Sequence, residues 1–206
     1  VDIFATNNNS KYIQNTNNKI LYEITIDKLD GGHSGVDIDK NIPNALKLIA
    51  KTIKECKGEL LDLNGGQRIN SIPKSAKAII VSSTPPISSH TNMSIIEVET
   101  TTTHYKKLDD KIISFIYSFA NGVRGYDKEL NSVLSSINLA IIKNGIDTMK
   151  FELSARSMDN DELQIIKDET VALLEAFGFE VTTSGKYPAW KPQHSEFTSK
   201  VLNIYK

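Results

Sequence analysis

Apolar positions in this chain switch several times between a period of two and a helical spacing. Residues 19–28 (KILYEITIDK) alternate, with β-branched and aromatic side chains, and predict a strand. The polar loop DGGHSGVD follows. Ile42, Ala45, Leu46, Ile49, Ile53 and Cys56 then mark one face of a helix, with Pro43 in its first turn, Asp39 or Asn41 as cap and Gly58 as its end. Residues 59–66 and 76–83 predict two strands joined by GGQRINSIPKS. After the breaker Thr84-Pro85-Pro86, the run SIIEVETTTT (94–103) predicts another strand. Leu108, Ile112, Phe115, Ile116 and Phe119 space a second helix, stopped at Asn121-Gly122. Residues 132–157 form the clearest hairpin, with Asn144-Gly145 as its tight turn. Asp159, with Glu162 placed for a capping box, starts a third helix. Its buried face is Leu163, Ile166, Leu173, Leu174 and Phe177, its end is Gly178, and residues 179–184 give a last strand.

The order is β-α-β-β followed by β-α-β-β-α-β, and the second unit has the ferredoxin-like sequence of elements. The fold class is therefore α+β: an antiparallel sheet with helices packed on one face. No sequence repeat is evident. Residues 1–18 are polar, and NNNSKYIQNTNN reads as a loop. The domain is expected over 19–186, preceded by a polar lead-in (1–18) and followed by an exit segment (187–206).

Bulk properties exclude several function classes. A net charge of −1 gives no general attraction to nucleic acid or an anionic membrane. No apolar run approaches a membrane span, and the N-terminus lacks the pattern of a signal peptide. A single cysteine, Cys56, excludes an internal disulfide framework and a thiolate zinc cluster, and fits a reducing compartment. A chain that opens without Met on a polar phrase is expected to be a piece of a longer protein.

The four histidines (His33, His90, His104 and His194) show no helical metal-pair spacing and no accompanying carboxylate cluster. His90 and His104 read as surface residues. GGHSG alone reads as a glycine turn with an incidental histidine. Arg156, at the end of a hairpin arm, is either a solvated or ion-paired residue or a bidentate carboxylate holder. Asn70 is either turn chemistry or an amide donor. Together His33, Asn70 and Arg156 form a set of donors with neither nucleophile nor metal, suited to bind a carboxylate and an oxyanion as half of a hydrolase site.

These residues resemble a known family. LDGGHSGVDI followed by NALKLIAKTI is similar to the start of the lid, or dimerisation, domain of di-zinc peptidases of the aminoacylase and carnosinase kind, and within them of bacterial aminoacyl-histidine (Xaa-His) dipeptidases. NGGQRINSIPKSA, ANGV, SSINLAIIKNGIDTMKFELSARS and GKYPAWKPQHS extend the likeness over roughly residues 20 to 206. Ile69 stands where the family has arginine, with Arg68 one place earlier, and the stretch from Pro73 to Leu108 is short for the family. The resemblance implies a ferredoxin-like lid of a cytoplasmic metallopeptidase. His33 would donate to the carbonyl oxygen that becomes an oxyanion, in cis or from the partner of a homodimer. Asn70 and Arg156 would hold the C-terminal carboxylate of a dipeptide. Two zinc ions, an activated water and a general-base glutamate would belong to a catalytic domain outside this chain, which alone would hold no cofactor and be inactive. The competing reading is a free-standing ferredoxin-like module that binds a small molecule or dimerises without catalysis.

Overall fold

A computed structural model describes residues 1–14 and 19–185, together with Ala189, Lys200 and Ile204. The Tyr187-Pro188 and Trp190 positions of the exit motif, and His194, lie outside the described residues. The strands before the first helix are β1 (Asp2–Asn7), β2 (Ser10–Gln14), β3 (Ile20–Ile26) and β4 (Gly32–His33). Helix α1 (Ala45–Cys56) leads to β5 (Glu59–Gly65), β6 (Ser71–Ile72), β7 (Ala76–Ser82), β8 (Met93–Glu97) and β9 (His104–Leu108). Helix α2 (Asp110–Ser118) is followed by β10 (Gly122–Asp127), β11 (Ser132–Asn144), β12 (Met149–Ser157), α3 (Asn160–Ala176) and β13 (Glu180–Ser184).

The main sheet runs β13-β1-β12-β11-β5-β7-β3-β8, with β10 beside the first part of β11, and its strand pairs are antiparallel. This order resolves into two halves. β13-β1-β12-β11 is the 4-1-3-2 arrangement of a ferredoxin-like unit, with α2 in its first crossover and α3 in its second. β8-β3-β7-β5 repeats that arrangement, with α1 in its first crossover and the irregular segment 83–92 in place of a second helix. The second unit is inserted between β1 and α2 of the first.

All three helices cover one face. Alternate residues of β1, β3 and β12 join the helices' apolar faces in one cluster, with Ile3, Ile24, Leu46, Phe115, Phe151 and Leu174 fully buried. Phe115 of α2 packs against the rings of Phe119, Phe151, Phe177 and Phe179, which locks α2 and α3 to the same side of the sheet.

Several expectations need correction. The lead-in is not wholly a loop outside the domain, because β1 belongs to the main sheet. Ile3, Ala5 and Asn7 are buried on alternate positions, and β1 lies between β12 and β13. The polar loop contains β2, which pairs with β9. The cap of α1 is Asn44, whose Oδ1 accepts from Leu46 N and Lys47 N, so Ile42 and Pro43 precede the helix. Its left-handed end is Lys57 (φ 54°), not Gly58; a Cβ on Gly58 would instead meet Ile80 at 2.8 Å. The predicted strand 94–103 stops at Glu97, and Leu108 ends β9 rather than starting α2, which Asp109 caps. The hairpin turn is a four-residue loop, 145–148, closed by Gly145 N–H donating to Thr148 O at 3.0 Å. Asn144 is drawn out of the turn because its Nδ2 donates to Asp62 Oδ1 at 2.8 Å.

The seam between the halves is thin. β11 and β5 share one ladder pair, Ile142 opposite Gly65. Beside it, a bulge at Ala140 opens β11, and asparagine side chains replace the absent ladder. Asn121 Oδ1 accepts from Leu139 N at 2.6 Å, and Asn44 Nδ2 donates to Leu139 O at 2.9 Å. Asn144 N donates to Asn64 Oδ1 at 2.9 Å. Buried backbone groups need partners, and short amide side chains supply them where strands cannot.

Candidate functional site

The loop from β3 to α1 folds back on itself around His33. Its backbone N–H donates to Asp37 Oδ2 at 2.8 Å, and its carbonyl accepts from Asp37 N at 2.9 Å and Val36 N at 3.2 Å. Lys40 Nζ donates to the other Asp37 oxygen at 2.6 Å. That lysine contact, then the His33 N–H, holds the Asp37 carboxyl below its ordinary value. β4 and β6 form a small ribbon, Gly32 opposite Ile72 and His33 opposite Ser71, and Ser34 N–H donates to Asn70 O at 2.9 Å.

The glycines of GGHSG have different duties. Only Gly31 takes the left-handed region (φ 67°). Gly32 and Gly35 answer to close approach. A Cβ on Gly32 would lie 2.8 Å from Ile42 Cδ1. A Cβ on Gly35 would lie 3.2 Å from Arg156 Nη1 and 3.3 Å from His33 Cε1. His33 and Arg156 therefore flank one glycine, and both line a cleft of about 510 Å³ with Val36, Asp39, Leu134 and Met158. The histidine comes from the inserted half and the arginine from the end of β12 in the other half.

The chemistry of the pair is well defined. Gly35 N–H donates to His33 Nδ1 at 3.1 Å. A neutral His33 thus carries its proton on Nε2 and offers it as a donor. Among the described residues, no carboxylate pairs with Arg156, and its Nε–H is buried with no partner. An unpaired guanidinium beside a neutral N–H donor is suited to an anion and an adjacent carbonyl oxygen.

Asn70 joins this group only through its backbone. Its carbonyl positions Ser34, while its side chain is exposed and outside the residues lining the cleft. His90 and His104 serve local turns: His90 Nδ1 accepts from Asn92 N at 3.1 Å, and His104 Nδ1 meets Thr103 Oγ1 at 3.1 Å. No group of three or more His, Cys, Asp or Glu side chains able to hold a metal occurs among the described residues, so the residues present do not fit a zinc centre. No helix among the described residues is long and apolar enough to cross a membrane. The sequence reading did not single out Asp37, whose carboxylate holds the His33 loop, or the close approach of Arg156 to Gly35.

No protein-family model matches the chain. Over 202 aligned residues it is 25% identical to the cytosol non-specific dipeptidase of Escherichia coli (strain K12), covering 83% of this chain and 41% of that protein. The chain is homologous to part of a bacterial dipeptidase. Its fold is also that of a region of the crystal structure of aminoacylhistidine dipeptidase from Vibrio alginolyticus. The TM-score is 0.82 at 22% identity, covering 99% of this chain and 47% of that one. The chain therefore spans less than half the length of either relative.

Proposed function

We propose that this chain is the lid domain of a cytoplasmic, zinc-dependent dipeptidase that hydrolyses Xaa-His-type dipeptides. The observation that carries this reading is the placement of His33 and Arg156 on either side of Gly35 in one cleft, the first with Nδ1 occupied by the Gly35 N–H and the second with no carboxylate partner among the described residues. In this reading, His33 Nε2–H stabilises the oxyanion that develops on the scissile carbonyl. Arg156 holds the substrate's terminal carboxylate, which limits the length of peptide accepted. Asn70, exposed beside Ser34, adds an amide contact to that carboxylate once a catalytic domain closes over the loop.

The two zinc ions, which would supply the activated water, belong to that catalytic domain. The chain alone has no hydrolase activity, and the whole enzyme is a homodimer in which His33 serves its own or its partner's site. The first test is an assay of this chain with zinc or cobalt and glycyl-L-histidine. No turnover is expected, and robust metal-dependent hydrolysis would refute the reading. The second is His33→Ala in the complete enzyme. It is expected to lower kcat by about 10²–10³, the usual cost of losing one oxyanion donor. Zinc content should stay unchanged; loss of zinc would make His33 a ligand instead.

A further inference from the structure

His33 and Arg156 belong to different halves of the sheet, so something must hold the gap between them. The backbone contacts described above tie the histidine's loop to itself and to the β5–β7 connection, not to β12. Asn138 crosses that divide. It lies in the middle of β11, is 1% exposed, and its Nδ2 donates to Ser71 O at 2.8 Å. Ser71 is the residue opposite His33 in the β4–β6 ribbon.

The register of β11 and β12 places Asn138 on the same face as Arg156. Ser136 stands opposite Arg156 and Asn138 opposite Ser154, so the two are diagonal neighbours on adjacent strands. Ile137, Leu139, Leu153 and Ala155 point the other way, into the helix-covered core. Asn138 therefore stands with its amide between the strand pair that carries the arginine and the ribbon that carries the histidine. Its Oδ1 is buried with no partner among the described residues, as are Arg156 Nε and Ser34 Oγ. A buried amide with one donor spent on a backbone carbonyl is poorly explained by packing alone, because an apolar residue would cost less there.

We infer that Asn138 is a positioning residue that sets the spacing between His33 and Arg156 by fixing Ser71, and with it the His33 ribbon, against β11. It touches neither the reacting carbonyl nor the carboxylate. The inference rests on the proposed role of the His33–Arg156 pair for its functional meaning, but the geometric claim stands apart from that role.

The test uses the isotopically labelled chain, with glycyl-L-histidine as probe and glycyl-L-histidinamide as a control that lacks the carboxylate. In Asn138→Ala, the His33 ring and Arg156 Nε–H resonances should both move, and dipeptide binding should weaken by roughly tenfold or more, as expected when paired groups lose their spacing. The control's weaker binding should change little. Asn138→Asp guards against a variant that fails to fold. Its ionised carboxylate faces the Ser71 carbonyl and should displace the His33 signals at neutral pH. The protonated acid can donate, so the signals should return towards wild type at acidic pH. Wild-type His33 and Arg156 resonances in both variants at neutral pH would overturn the inference. If the wild-type chain does not bind the dipeptide but both variants still displace His33, the carboxylate reading fails while the positioning role stands.

Discussion

The two halves of the sheet share one strand order and differ in one crossover. The half built from β13, β1, β12 and β11 has both helices, and α2 and α3 bring five phenylalanine rings together over it. The half built from β8, β3, β7 and β5 has α1 alone, and the segment 83–92 touches it through contacts such as Thr52 with Ser89. The complete half offers a rigid strand end bearing Arg156. The half with one helix offers the long loops that carry His33 and Asn70. The five-ring cluster thus lies in the half that bears Arg156, and the loop that bears His33 lies in the half with one helix.

This contrast can be broken or sharpened by measurement. Phe115→Ala should remove the hub of the complete half and destabilise the chain by about 3–5 kcal/mol, measured by urea unfolding. A loss below about 1 kcal/mol would show that the aromatic cluster does not dominate that half. Asn44→Ala strikes the other half at its join. It removes the α1 cap and leaves Leu139 O without its partner, for a loss of about 2 kcal/mol in the same assay. An effect no larger than that of an ordinary surface substitution would mean the seam is held elsewhere.

The smallest expected effect is on the His33 loop in acid. The Asp37 carboxyl lies below its ordinary value of 3.8 because Lys40, then the His33 N–H, stabilise its charged form. The stabilisation is therefore complete above that ordinary value and is lost as pH falls through the lowered one. Amide resonances of residues 33–37 followed from about pH 5 to about pH 2 should shift together at the low end. A midpoint at or above the ordinary value would contradict the loop geometry.

Much of this was legible beforehand, and the failures share a cause. The three helices, the long hairpin and strands β3, β5 and β7 follow from periodicity, because each buries one regular face. Of the donor set read as His33, Asn70 and Arg156, the first and last line one cleft while the Asn70 side chain lies outside it, and the dipeptidase likeness reappears in the comparison with the E. coli protein. What escaped was long-range. β1 pairs with residues roughly 150 positions away, as in Ile3 opposite Leu153, so its polar surroundings hid an interior strand. β2, β9 and β10 are short and half-polar. Asn44, Asn121 and Asn144 each resemble turn or cap residues in sequence, and Asn138 is a lone amide inside an apolar strand run. Their work is to satisfy backbone or carboxylate groups far along the chain, which no local pattern announces. The turn at Asn144-Gly145 failed for the same reason: the amide is claimed by Asp62, 82 residues earlier.

The single ladder pair between β11 and β5 has a mechanical consequence. A sheet of nine strands transmits twist through its rungs, and at this joint the sheet offers only Ile142–Gly65 and a few amide side chains, so the coupling of the halves rests largely on the shared core and on Lys47 Nζ, which donates to Ile116 O, Tyr117 O and Phe119 O. His33 and Arg156 stand on opposite sides of it. The width of the cleft is therefore fixed by how the two halves are joined rather than by either half alone, and Asn138 is the brace set across that joint.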